Sequence, residues 1–161
     1  MKNWPMQMLP LILMVMMLVA CATPPAPGPG QAAPKRVSVQ FYLVHEEPGP
    51  DIVERKVAGT GETVFLAQKP DLTESDMAWA QTQVDRLSGR ASVLAHFTIE
   101  GSDKLAALTR RNIGRRIAIV IDGKIIATPL ITSQIPNGRL LIEGFKSAAE
   151  AQRVADALAK R

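Results

Sequence analysis

Residues 115–129 read RRIAIVIDGKIIATP, and this stretch decides the fold. An almost wholly apolar run from Ile117 to Ile121 is interrupted by Asp122-Gly123, after which Ile125, Ile126 and Ala127 resume it before Pro129. An Asp-Gly pair between two apolar runs is among the strongest short-range hairpin signals, because both residues tolerate the positive φ of a tight turn. The stretch therefore predicts two antiparallel strands, the second ended by Pro129, which lacks the N–H needed to extend a ladder.

Further along, Asn137-Gly138 marks another tight turn, and Leu140 with Ile142 continue into a strand. Ser147 is the expected cap of a closing helix, in which Ala148, Ala151, Ala155 and Leu158 recur at helical spacing beside Val154. In the other direction, Ser102 is the expected N-cap of a helix carrying Leu105, Leu108 and Ile113 and stopped by Gly114. Val93, Ala95, Phe97 and Ile99 alternate as one face of a strand reached through the turn RLSGR. The second half thus reads strand, helix, strand, strand, strand, helix.

The preceding half is mostly strands. Val37, Val39, Phe41 and Leu43 alternate with Ser38, Gln40 and Tyr42, and that strand stops at EEPGP. Two shorter strands are expected over 51–57 and 62–67, around the glycines of GTG. Thr73 with Asp76 three residues later fits the start of a short helix. The following AWAQTQVD is ambiguous between helix and strand, and leans to a strand over 80–85. The expected architecture is α+β: a mostly antiparallel sheet with two helices packed on one face.

The amino terminus does not belong to that fold. Met6 to Ala20 is an apolar block preceded by one lysine, Lys2, in the pattern of a secretory signal; it is short for a spanning helix. Leu18-Val19-Ala20-Cys21 resembles the bacterial lipobox, in which small residues precede a cysteine that is diacylated on sulfur before cleavage. Cleavage between Ala20 and Cys21 would make Cys21, the single cysteine of the chain, the lipidated first residue. The bland alternatives are an uncleaved anchor, or a cysteine that merely ends a signal peptide. Residues 22–34, ATPPAPGPGQAAP, offer almost nothing to bury and are expected to form an extended spacer. The expected organisation is a signal peptide over 1–20, lipidated Cys21 and linker over 21–36, and a folded domain over 37–161. With one cysteine, no intramolecular disulfide can form.

Catalytic patterns are missing from the sequence. His45 and His96 are the only histidines, and no HExxH or CxxC spacing supplies further metal ligands. The segment at Gly59 lacks the Lys-Ser/Thr end of a phosphate loop, and no serine lies in a GxSxG context. The expectation is no enzyme, no cofactor and no metal. A net charge of +4 in 161 residues is too mild to suggest nucleic acid. Arg110, Arg111, Arg115 and Arg116 form the one basic cluster, read either as a solvated rim complementing a helix C-terminus or as a contact for anionic lipid or an acidic partner.

The run from Phe97 to Lys160 resembles the head part of the first periplasmic domain of SecD, the accessory subunit of the bacterial Sec translocase. The likeness lies in FT at 97–98, then Thr109, Asn112 and Gly114, then AIV with Asp122 and Gly123. It continues through Pro129, Ile135 with Gly138, Ile142 with Gly144 and Phe145, and an alanine-rich closing helix. It is strongest over 93–160 and extends loosely back to LTESDM at Leu72. Thr109, Asn112, Gly114, Asp122, Gly123, Pro129, Gly138 and Gly144 are all expected to keep the fold: glycines at turns and caps, Asp122 in a turn, Thr109 and Asn112 bonding backbone at a helix end. SecD also has six membrane-spanning segments and a periplasmic base. No later apolar run is present here, so a proton-driven motor is not expected.

The resemblance implies a non-catalytic module that contacts unfolded polypeptide, Sec translocon components or another envelope protein. It would be anchored in the bilayer through acylated Cys21 and face the periplasm. Ala22 after that cysteine favours the outer membrane. A sheet edge around 128–135, interrupted by Pro129 and Pro136, is the expected docking place. The alternative is a structural component of an outer-membrane or envelope assembly with no part in export.

Overall fold

A computed structural model describes residues 37–159. The signal-like block, Ala20, Cys21 and the proline-rich linker lie outside the described residues. The described residues belong to one unit, Pro34–Arg161.

Nine strands and two α-helices follow one another in these residues. They are β1 (Val39–His45), β2 (Ile52–Lys56), β3 (Thr63–Ala67), β4 (Leu72–Thr73), β5 (Met77–Val84) and β6 (Ala91–Phe97), then helix α1 (Ile99–Arg111). After it come β7 (Ile117–Ile121), β8 (Lys124–Ala127), β9 (Arg139–Ile142) and helix α2 (Ala148–Ala159). The α+β architecture expected from the sequence is present, and all strand pairs within the named strands are antiparallel. The strands divide into two sheets. The larger has the order β2-β3-β1-β7-β8 with β4 pairing β1, and the smaller has the order β5-β6-β9.

The opening stretch sits at the centre of the larger sheet. Every residue of β7 is buried, because the strand has apolar material on both sides. Ile117, Ile119 and Ile121 point with Val39 and Phe41 into the main core, while Ala118 and Val120 point with Tyr42 into a second, smaller one. Asp122 and Gly123 both take positive φ, 49° and 78°, as the tight hairpin requires. Both helices feed the main core: α1 through Leu105, α2 through Ala151, Val154, Ala155 and Leu158. Phe41 and Phe97 meet there in a tilted pair with ring centroids 5.8 Å apart, a geometry worth about 0.5–1.5 kcal/mol beyond area burial.

The second core is enclosed by the larger sheet itself. Val57, just after β2, forms a parallel bridge with Ile125 of β8, and the Ala58 N–H donates to the Ile125 carbonyl at 2.8 Å. The two ends of the strand order therefore meet, around Tyr42, Val57, Val64, Leu66, Ala118, Val120 and Ile125. Closing a sheet on itself leaves fewer backbone groups unpaired at its margins.

Local expectations at the start of α1 are corrected. Helix α1 starts at Ile99, with Thr98 as its cap: the Thr98 hydroxyl accepts from the Gly101 N–H at 3.0 Å. Ser102 lies inside the first turn and donates to the Thr98 carbonyl at 2.7 Å. Ile99 accordingly leaves the strand pattern and stands 81% exposed. Elsewhere Thr73 and Asp76 form a reciprocal capping box around a single 3-10 turn, Glu74–Asp76. The ambiguous segment AWAQTQVD is strand, and begins at Met77.

Candidate functional site

The four arginines fall into two environments. Arg115 donates to the Asn112 side chain at 3.1 Å and to the Val44 carbonyl at 3.2 Å. Arg116 pairs with Glu62 through both terminal guanidinium nitrogens, at 2.5 and 3.0 Å, and also donates to the Thr128 carbonyl and hydroxyl. That pairing raises the Arg116 pKa, and the bond from Arg116 holds the Glu62 carboxyl below its usual value. Arg115 and Arg116 thus tie β1, the β2–β3 turn and the end of β8 to the strand they precede. Arg110 and Arg111 remain exposed at the end of α1.

The segment expected as a docking edge is already engaged. The Ile131 N–H donates to the Arg115 carbonyl, its carbonyl accepts from Gly114 N–H, and Pro129 accepts from Ile117 N–H, at 2.8–3.0 Å. Arg116 and Leu130 form an antiparallel bridge, so this segment prolongs the β7–β8 ladder. The buried Thr109 hydroxyl fastens its far end. It donates to the Leu105 carbonyl at 2.7 Å and accepts from the Ile135 N–H at 3.0 Å. Asn112 donates to the Leu108 carbonyl at 2.8 Å.

The other residues of the resemblance occupy turns and close approaches. Asp122 accepts from the Ser38 N–H at 3.2 Å and pairs with Arg153 of α2 at 3.3 Å. Gly114 and Gly123 take positive φ with open space where a Cβ would stand. At Gly138 a Cβ would collide with Ser102, and at Gly144 it would lie 2.6 Å from the Ile126 carbonyl oxygen.

What stays open is the smaller sheet. The register aligns Trp79, His96 and Arg139 across β5, β6 and β9, then Gln81, Leu94 and Leu141 in the next row. These residues alternate with the buried Ala80, Val93, Ala95 and Ile142, so they form the face turned away from the core. No helix of the fold packs its buried residues there: those of α2 and Leu105 of α1 lie in the main core, Gly101 lies against the Asp76 carbonyl, and Thr109 bonds to the Ile135 N–H. Trp79 is 42% exposed and Leu141 44%. The Trp79 indole stacks on the His96 imidazole, with ring centroids 3.6 Å apart and an 11° interplanar angle. Burial, and secondarily the charge of Arg139, lower the His96 pKa, and its Nε2 is buried without a hydrogen-bond partner.

Strand β5 also ends the order of its sheet, so among the described residues no strand pairs with its outer edge. Its eight residues, MAWAQTQV, carry no charge and no proline, the usual guards of an exposed edge. A groove of about 840 Å³ opens at one end of the sheet, between the β5–β6 hairpin and the segment from Leu141 to Ala148, where Phe145 stands. The start of α2 at this groove is internally satisfied: Ser147 accepts from the Glu150 N–H, and Glu150 accepts from the Lys146 N–H. Among the described residues no three His, Cys, Asp or Glu side chains converge as metal ligands, and no helix is long and apolar enough to cross a membrane.

The open face was missed in the sequence. Its signal was Leu94, an apolar residue at a position where alternation calls for a polar one, with Trp79 beside it on a strand of uncertain type.

The fold and this face define a class: a small α+β domain with one sheet closed on itself and the other presenting a bare outer surface. The family of the SecDF P1 head subdomain matches residues 51–160, and the chain belongs to it. It is 43% identical over 86 residues to the protein translocase subunit SecDF of Thermus thermophilus, covering 53% of this chain and 12% of that protein. It is 36% identical over 118 residues to the protein translocase subunit SecD of Acidaminococcus fermentans, covering 70% of this chain and 28% of that protein. A solved structure described as a membrane component SecDF that enhances protein export superposes with a TM-score of 0.61 at 31% identity, covering 76% of this chain and 62% of that one. The chain therefore spans only a minor part of the curated relatives it matches.

Proposed function

We propose that this protein is a SecD-like head module associated with protein export, held at a membrane by acyl chains on Cys21 and binding extended polypeptide on its β5-β6-β9 sheet. The observation that carries this reading is the uncharged outer edge of β5 beside the Trp79–His96 stack. An extended chain adds its backbone bonds to such an edge with little regard to sequence, while Trp79, Leu94 and Leu141 offer apolar contact to alternate side chains. That combination suits a partner recognised for being unfolded. The relatives named for SecD and SecDF support the link to export and a place facing the periplasm. The lipobox-like LVAC supports the anchor, and Ala22 the outer membrane. Two acyl chains suffice for stable attachment where one does not.

The test is binding of a permanently unfolded reporter polypeptide to the full chain in detergent. Trp79→Ala is expected to weaken binding about tenfold, the scale of an aromatic anchor, and Gln81→Lys to weaken it by placing a charge beside the edge. Equal binding by all three proteins would refute the site. Crosslinking in cells to a stoichiometric envelope complex, with no contact to nascent exports, would favour the structural role instead.

A further inference from the structure

The β5–β6 hairpin ends in Asp85-Arg86-Leu87-Ser88-Gly89-Arg90, a tip that is ordered in order to display its one apolar residue. The Asp85 carboxylate turns inward, accepting from the Leu87 and Ser88 N–H groups at 3.0 and 2.6 Å and from the Ser88 hydroxyl at 2.8 Å. The Arg90 N–H donates to the Ser88 hydroxyl, the Asp85 N–H to the Arg90 carbonyl, and Gly89 supplies the positive φ of 67°. Within this framework Leu87 is 100% exposed and neighbouring Val84 53%. Arg86 and Arg90 flank it, both exposed and neither in a salt bridge among the described residues.

We propose that this tip docks on an anionic lipid surface, with Leu87 entering the boundary between headgroups and acyl chains while Arg86 and Arg90 meet the phosphates. The shape and charge of the tip favour lipid over a protein pocket. Leu87 projects with its whole side chain exposed, the Asp85 carboxylate is hydrogen-bonded within its own turn, and an apolar point between two long cationic side chains matches a charged layer above an oily one. Contacts this few are weak alone and become effective when a tether confines the domain near the surface. The inference therefore rests on the attachment proposed at Cys21.

The experiment uses the full chain with vesicles of phosphatidylcholine alone and of phosphatidylcholine containing phosphatidylglycerol, and reads hydrogen exchange at residues 84–91 alongside flotation in high salt. Flotation reports the anchor and exchange reports the tip. Protection of the tip is expected with phosphatidylglycerol only. The double variant Arg86→Gln/Arg90→Gln should weaken it about 25-fold, at about fivefold for each arginine near an anionic surface, and Leu87→Ser about tenfold. Arg110→Gln/Arg111→Gln, which touches another exposed pair, should leave it unchanged. A chain that floats with an unprotected tip overturns the docking and spares the anchor. A chain that does not float, yet gains tip protection in excess anionic vesicles, supports the docking without the anchor. Protection that ignores lipid charge and needs an added envelope protein would overturn the lipid assignment.

Discussion

The two sheets of this domain both pair their named strands antiparallel and are finished in opposite ways. In the larger sheet the two ends of the strand order meet at Val57 and Ile125, Arg116 clamps Glu62 and Thr128, and the segment after β8 is hydrogen-bonded back to the entry of β7. In the smaller sheet β5 ends the strand order, and one face carries Trp79, Leu94 and Leu141 outward. A fold able to close one sheet so completely leaves the other bare where a partner can use it. On the proposed reading the closed sheet is the support, and the open one is the working surface.

If that division is right, substitutions on the support should cost stability and substitutions on the open face should not. The largest effect is expected at Phe41, fully buried at the centre of the main core. Phe41→Ala should lose about 3–5 kcal/mol in denaturant titration, and a much smaller loss would mean that the main core is not the chief support. Gly101→Ala comes next. A Cβ there runs into the Asp76 carbonyl where α1 begins, and backbone has little room to yield. A loss of about 1–3 kcal/mol is expected, and a neutral result would show that α1 and the 3-10 turn slide apart freely.

Thr109→Val keeps the shape and deletes the hydroxyl that receives the Ile135 N–H, leaving that donor without its partner. About 1–3 kcal/mol should be lost, with faster hydrogen exchange at Ile135; unchanged exchange there would refute the fastening role. The smallest expected effect is acid dependence at Asp76. Burial pushes its carboxyl upward, but bonds from Lys104 and Thr73 outweigh this and leave its pKa below the usual 3.8. The folded state therefore binds the proton more weakly than the unfolded chain. The resulting stability is present above pH 3.8 and is lost as the pH falls through the lower folded value. Asp76→Asn should flatten that part of the acid limb, and an unaltered limb would assign the acid loss elsewhere.

Much of this was legible in the sequence, and the physical reason for the rest is consistent. The Asp122-Gly123 hairpin, the Ser147 cap and the Thr73–Asp76 box are set by residues within a few positions of one another, and each forms as read. Thr98 displaced Ser102 as the cap of α1 because two hydroxyls one turn apart compete, and the sequence does not say where β6 must release the chain. The division into two sheets depends on β1 finding β7 and β6 finding β9, pairings across long stretches of chain that local periodicity does not encode. The separate engagement of two of the four arginines escapes the sequence for the same reason. Arg115 and Arg116 are engaged by Val44 and Glu62, which lie 71 and 54 positions away. Gly101 gave no local sign of its role, since what it admits is the Asp76 carbonyl of another element.

The central claim is that the β5-β6-β9 sheet is the binding side, and amide chemical-shift mapping of the full chain in detergent, titrated with an unfolded polypeptide, tests it directly. The account predicts shifts concentrated on Met77–Val84, the Trp79 indole, Leu94 and Leu141. Shifts confined to the sheet closed by Val57 and Ile125, with β5 silent, would contradict it.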